Sequence, residues 1–124
     1  MAYTTHYLES ELHSADRVDL VRLMYRGAIE ATSRARRNLA NGQIAERSRQ
    51  ITKAWDILGE LTRSLNHVQG GDLSRALVEL YVYMQKRLLE ANAEQSDGAL
   101  AEVERLLSTL AEAWALVPSI DCTY

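Results

Sequence analysis

Apolar residues recur along this chain at alternating steps of three and four. That spacing, interrupted by turn residues, predicts four helices. The first opens at Asp16, the expected N-cap, with Asp19 in its first turn, and runs to about Leu39 before Asn41-Gly42 stops it. Its inward positions are Leu20, Leu23, Met24, Gly27, Ala28, Ala31 and Ala35, small enough in the middle for a neighbouring backbone to come close. The second runs from about Ile44 to Val68. Ile51, Ala54 or Trp55, Leu58, Leu61, Leu65 and Val68 form its seam, Gly59 sits beside that seam, and Gly70-Gly71 ends it.

The third stretch opens at Asp72 as N-cap and ends near Asn92. Val and Tyr give it strand character, but some twenty residues between stops are too many for a strand. Its seam is Leu73, Leu77, Leu80 or Tyr81, Met84, Leu88 and Ala91. A second stripe, Val78, Val82 and Leu89, is left over, and Tyr83 points in a third direction. The fourth stretch starts near Ser96-Asp97 and stops before Pro118. Leu100, Val103, Leu107, Leu110, Trp114 and Val117 form its seam, with Leu106 and Leu116 outside it. Four helices joined by short loops predict an all-α, antiparallel up-and-down four-helix bundle. Residues 1–15 read as a mobile N-terminal arm, 16–118 as the bundle and 119–124 as a tail.

The chain has 124 residues, 47% of them apolar and 25% charged, the values of one ordinary globular domain. Phe is absent and the one proline lies at position 118, which suits helices. Charge is unevenly placed. Residues 17–53 carry a net +6, residues 54–124 a net -6 and residues 1–16 a net -3. Arg34, Arg36, Arg37, Arg47, Arg49 and Lys53 surround the first turn. They read as a solvated bundle end complemented by the acidic second half rather than as a nucleic-acid surface. Cys122 has no cysteine to pair with, no basic-then-apolar leader opens the chain, and no run of about 18 apolar residues would span a membrane. The expected setting is the cytoplasm.

No catalytic or cofactor pattern emerges. Di-iron bundles need Glu-x-x-His pairs, whereas Tyr3, Ser10 and Ser64 precede His6, His13 and His67 by three. His6, Glu9 and His13 belong to a polar arm, and His67 to a helix end. Gly70-Gly71 is followed by Asp72, which would repel phosphate. The expectation is a non-enzyme without metal or cofactor. The surplus stripe Val78, Val82 and Leu89 then has three readings: burial in an interlocked bundle, self-association as a homodimer, or a groove for a partner's apolar helix. A rival class is a helical regulator whose basic end binds nucleic acid or an acidic partner.

Several stretches together carry a family resemblance. Leu20, Val21, Leu23, Met24, Tyr25, Gly27 and Ala28 make up the stretch LVRLMYRGA at 20–28. KAWDIL at 53–58, GGDL at 70–73, LVELYVYM at 77–84 with RLLEAN at 87–92, and EVERLLSTLAEAW at 102–114 follow in order. Over about residues 3–118 the chain resembles the flagellar secretion chaperone FliS family. It departs at Asp16-Arg17, where the family often has Ser-Pro, and at Arg26, where it has an acidic or amide residue.

The resemblance implies an antiparallel helical bundle that holds the disordered C-terminal segment of flagellin. It blocks premature polymerisation and keeps flagellin competent for the flagellar type III export gate, without ATP. Val78, Val82, Tyr83 and Leu89 would then form part of the flagellin-binding surface. The family's arm tyrosine, which folds over an apolar surface, is best matched by Tyr7 and next by Tyr3.

Overall fold

The computed structural model describes residues 17–65 and 71–116. Four helices run through them: α1 (Arg17–Ala40), α2 (Ile44–Leu65), α3 (Asp72–Glu94) and α4 (Asp97–Ala115). α1 packs on α2, α2 on α3 and α3 on α4, and α4 closes the ring against α1. Short connections between adjacent helices set them antiparallel, so the architecture is an all-α, up-and-down four-helix bundle. The expected arm and tail lie outside the described residues. So do Tyr7, Asp16, the three histidines, Val68, Val117 and Cys122. Among the described residues no helix is long and apolar enough to cross a membrane.

The helix ends follow local chemistry. Gly42 takes φ 70° after α1, and the Gln43 N–H donates to the Asn38 carbonyl at 2.9 Å. Ser96 caps α4, its Oγ accepting from the Ala99 N–H at 3.1 Å. The start of α3 differs from expectation. Gly71, at φ 61°, is the residue before the helix, and no side chain caps it. Only glycine turns the chain there without a Cβ penalty, so Asp72 is drawn one position inside the helix. Gln95 ends α3 in the left-handed region at φ 53°, and the N–H groups of Gln95 and Ser96 both reach the Ala91 carbonyl.

The core is built mainly from the expected stripes. α1 contributes Leu20, Met24, Ala28, Ala31 and Ala35, α2 Ile51, Ala54, Leu58 and Leu61, and α4 Leu100, Val103 and Leu107. Where two residues competed, Ala54 turns inward and Trp55 outward, and Tyr81 inward with Leu80 half-buried. Small residues do bring α1 and α2 together: a Cβ on Gly27 would stand 3.3 Å from Ile57 Cδ1. Leu73 is a correction. It is 74% exposed, because it stands in the first turn of α3, a full turn beyond Leu77, where no side chain layer covers it. Leu23 and Gly27 are only half-buried, while Tyr25, Thr32, Arg47 and Ile57 are buried without having been expected inside.

Gly59 offers a direct stability test. A Cβ there would lie 3.6 Å from Gln85 Nε2, an ordinary contact, and the residue sits inside α2. Gly59→Ala is therefore expected to stabilise the protein by about 0.5–1 kcal/mol, the helix-propensity difference. A urea midpoint that does not rise would mean that α2 needs the gap.

Candidate functional site

The rotation of α3 decides which stripe faces solvent, and a buried polar contact fixes that rotation. Tyr81 on α3 and Tyr25 on α1, helices that are not neighbours in the ring, meet across the core with their hydroxyls 2.5 Å apart. Trp114 on α4 donates its Nε1–H to the Tyr25 hydroxyl at 3.1 Å. The rings stand 6.4 and 6.5 Å from Tyr25 in tilted arrangements, a favoured aromatic geometry. Burial pushes both phenols above their ordinary pKa, and so both remain neutral partners. Tyr25 was missed because its burial depends on a residue 56 positions away. Its place beside Tyr81, in two of the family-like stretches, was the only sequence signal.

With Tyr81 inward, steps of about 100° place Val78, Val82 and Leu89 within about 40° of one another, a quarter turn toward α2. Val82 is 44% and Leu89 55% exposed, and Val78 is half-buried. On the facing flank of α2 stands Trp55, 38% exposed. Gln85 ties the two helices beneath, donating Nε2–H to the Trp55 carbonyl at 3.0 Å. Gly59 lies next to that amide with no side chain of its own. The result is an apolar flank along the α2–α3 seam, with an indole at one side and aliphatic side chains at the other. Trp55 entered the sequence reading only as a rival for the core.

Tyr83 lies on the other side of α3. Its hydroxyl donates to Glu102 of α4 at 2.7 Å, and Arg87 Nε reaches the other oxygen of that carboxylate at 2.7 Å. Tyr83 is thus separated from Val78, Val82 and Leu89 by the outer ridge of α3. The candidate Tyr7 falls outside the described residues.

The basic residues around the first turn are largely engaged within the fold. Arg36 grips Asp97 at 2.8 and 3.1 Å and Glu104 at 2.8 Å, which joins α1 to α4. Arg47 is buried, with Nε donating to the Asn92 side chain at 3.0 Å. Arg34 pairs with Glu30 and Arg49 with Glu46. Among the described residues there is no group of three or more side chains that could hold a metal ion.

These ion pairs set a pH dependence. Arg36 holds the Asp97 carboxyl below its ordinary value, and Tyr83 with Arg87 does the same for Glu102. A carboxyl whose folded pKa is lowered stabilises the fold above its unfolded value, about 4, and that stability is lost as pH falls through the folded value. Urea midpoints should therefore fall from about pH 4 downward. The fall should be shallower in the Asp97→Asn, Glu102→Gln double variant. An identical slope in that variant would assign the acid sensitivity elsewhere.

Comparison with known proteins gives the fold its context. The family model described as flagellar protein FliS matches residues 1–120. The flagellar secretion chaperone FliS of Salmonella typhimurium is 39% identical over 114 residues, which is 91% of this chain and 84% of that protein. The flagellar secretion chaperone FliSB of Pseudomonas aeruginosa is 35% identical over 107 residues, 86% of this chain and 85% of that one. The flagellar secretion chaperone FliS of Bacillus subtilis is 29% identical over 110 residues, 89% and 81% of the two chains. With its four-helix bundle and a match along nearly its whole length, this chain belongs to the FliS family of flagellar proteins.

Proposed function

We propose that this protein is a flagellin export chaperone. It binds the disordered C-terminal segment of flagellin in the cytoplasm, prevents its premature polymerisation and delivers it to the flagellar type III export gate. The role is binding without chemistry, since the family is one of chaperones and not of enzymes. The observation that carries this reading is the apolar flank of Trp55, Val82 and Leu89, exposed beside the half-buried Val78 on a bundle whose core is already filled. A folded protein gains nothing by leaving aliphatic side chains in water, and such a stripe suits the apolar face of an amphipathic segment. Each aliphatic anchor covered by the cargo contributes about 1.5–3 kcal/mol before ordering costs, and those costs keep affinity moderate. Tyr7, on the arm, shields this flank when empty and moves aside for the cargo.

Calorimetric titration with the C-terminal segment of flagellin, at two salt concentrations, tests the proposal. One-to-one binding with a negative heat-capacity change and little salt dependence is expected. Binding that weakens steeply with salt would favour an acidic or nucleic-acid partner at the basic end instead. A mass that doubles with concentration in light scattering, abolished by Val82→Asp, would assign the stripe to a homodimer.

A further inference from the structure

The face between α1 and α4 carries a second feature, away from the α2–α3 flank. An open trough of about 670 Å³ runs between the two helices. It is lined on α1 by residues from Arg22 to Arg37, Ile29 among them, and on α4 by Glu104, Ala111 and Ala115. The α1 lining spans about 22 Å at 1.5 Å per residue, some four turns of a helix. The two alanines keep the α4 side low, so that a helical ridge of larger side chains can settle against it.

The charges of this trough do not cancel internally. Glu104 is taken by Arg36 at 2.8 Å, and Glu30 by Arg34 at 3.3 Å. Arg37 donates only to the neutral Ser33 hydroxyl at 3.1 Å, and Arg26 is exposed with no carboxylate partner among the described residues. Two uncompensated guanidinium groups therefore stand on one side of the trough, eleven residues and three turns apart, about 16 Å. Arg26 is also the position where the chain departs from the family outline by carrying a cation. A polyanion fits poorly, because the carboxylates of Glu30 and Glu104 lie in the same lining beside the apolar Ile29, Ala111 and Ala115.

We infer that the α1–α4 trough docks an amphipathic helix of a partner protein, whose apolar ridge covers Ile29, Ala111 and Ala115 and whose acidic side chains, three turns apart, pair with Arg26 and Arg37. This surface is separate from the flank assigned to flagellin. The bundle thus holds its cargo and a second, acidic helix at once. Guanidinium–carboxylate pairs of this kind orient the helix and quicken its approach, while the apolar ridge holds it.

A charge-swap experiment tests this on the full chain. The probes are two labelled 18-residue helical peptides of Ala and Gln with a Leu ridge. One carries Glu and the other Lys at the two positions eleven apart, and binding is read by fluorescence anisotropy. The Glu peptide is expected to bind at least tenfold more tightly than the Lys peptide. The Arg26→Glu, Arg37→Glu variant should reverse that preference, and Ala111→Trp should abolish both. Both arginines are exposed, so the swapped variant should keep its helical circular dichroism and its affinity for the flagellin segment. A preference that does not reverse overturns the inference. So does an equal loss of flagellin binding in the swapped variant, which would make the trough part of the cargo site. Tight binding of a single-stranded RNA that depends on Arg26 and Arg37 would assign the face to nucleic acid. Peptide binding that appears only after Glu9→Lys and Glu11→Lys would make it the seat of this chain's own acidic arm.

Discussion

Val82→Asp combined with Leu89→Asp is expected to weaken binding of flagellin's C-terminal segment about 100-fold and to leave the bundle folded. Both side chains are substantially exposed, so neither carboxylate enters the core. When cargo covers them, however, each loses an aliphatic contact of about 1.5–3 kcal/mol, and each new charge must be stripped of water. The two aliphatic losses alone, about 3–6 kcal/mol together, exceed the 2.7 kcal/mol that corresponds to a factor of about 100. Titration calorimetry of the double variant, beside circular dichroism to confirm its helices, measures the effect. Tyr83→Phe is the informative companion. Its hydroxyl is held by Glu102 on the far side of α3, so its loss should change cargo affinity much less. Unchanged affinity in the aspartate variant would show that flagellin binds elsewhere on the bundle.

Tyr25→Ala is expected to lower the stability of the protein by about 4 kcal/mol, in the range for deleting a buried aromatic ring. The ring is fully buried, and its hydroxyl joins Tyr81 and Trp114 across the bundle. Removal opens a cavity and strands the Tyr81 hydroxyl in an apolar surrounding. Tyr25→Phe separates the two contributions: it keeps the ring and should cost only about 1–2 kcal/mol. Against a total of about 5–15 kcal/mol for a domain of this kind, the alanine variant sits near the edge of folding. Urea unfolding of both variants gives the comparison. A phenylalanine variant as stable as the parent would show that the hydroxyl contact contributes nothing net.

The helices and most of the core were legible because they depend on local periodicity and on stops such as Asn41-Gly42 and Ser96. The misplaced cap at Asp72 shows the limit of that logic. An acid before an apolar run suits an N-cap, but the positive φ of Gly71 decides where the helix begins. Ala54 against Trp55 and Leu80 against Tyr81 could not be resolved from spacing, since adjacent residues differ by only about 100° in direction. Their outcome depends on what faces them across the core. The Tyr25–Tyr81 and Arg47–Asn92 contacts join residues 56 and 45 positions apart, and no local pattern announces such partners. The outer stripe of α3 was legible for the opposite reason. It is a surplus, visible as apolar residues that one buried face could not use.

The two tryptophans occupy unlike surroundings. Trp55 stands on the open flank of the α2–α3 seam, and Trp114 lies half-buried against Tyr25 at the far end of α4. The protein thus has two unlabelled optical reporters of separate events. A Trp114→Phe variant leaves an emission that should follow docking of the flagellin segment proposed for the seam, whereas a Trp55→Phe variant leaves one that should follow loosening of the aromatic cluster. Occupancy and integrity of the bundle can be followed independently in the same cuvette, with no dye attached.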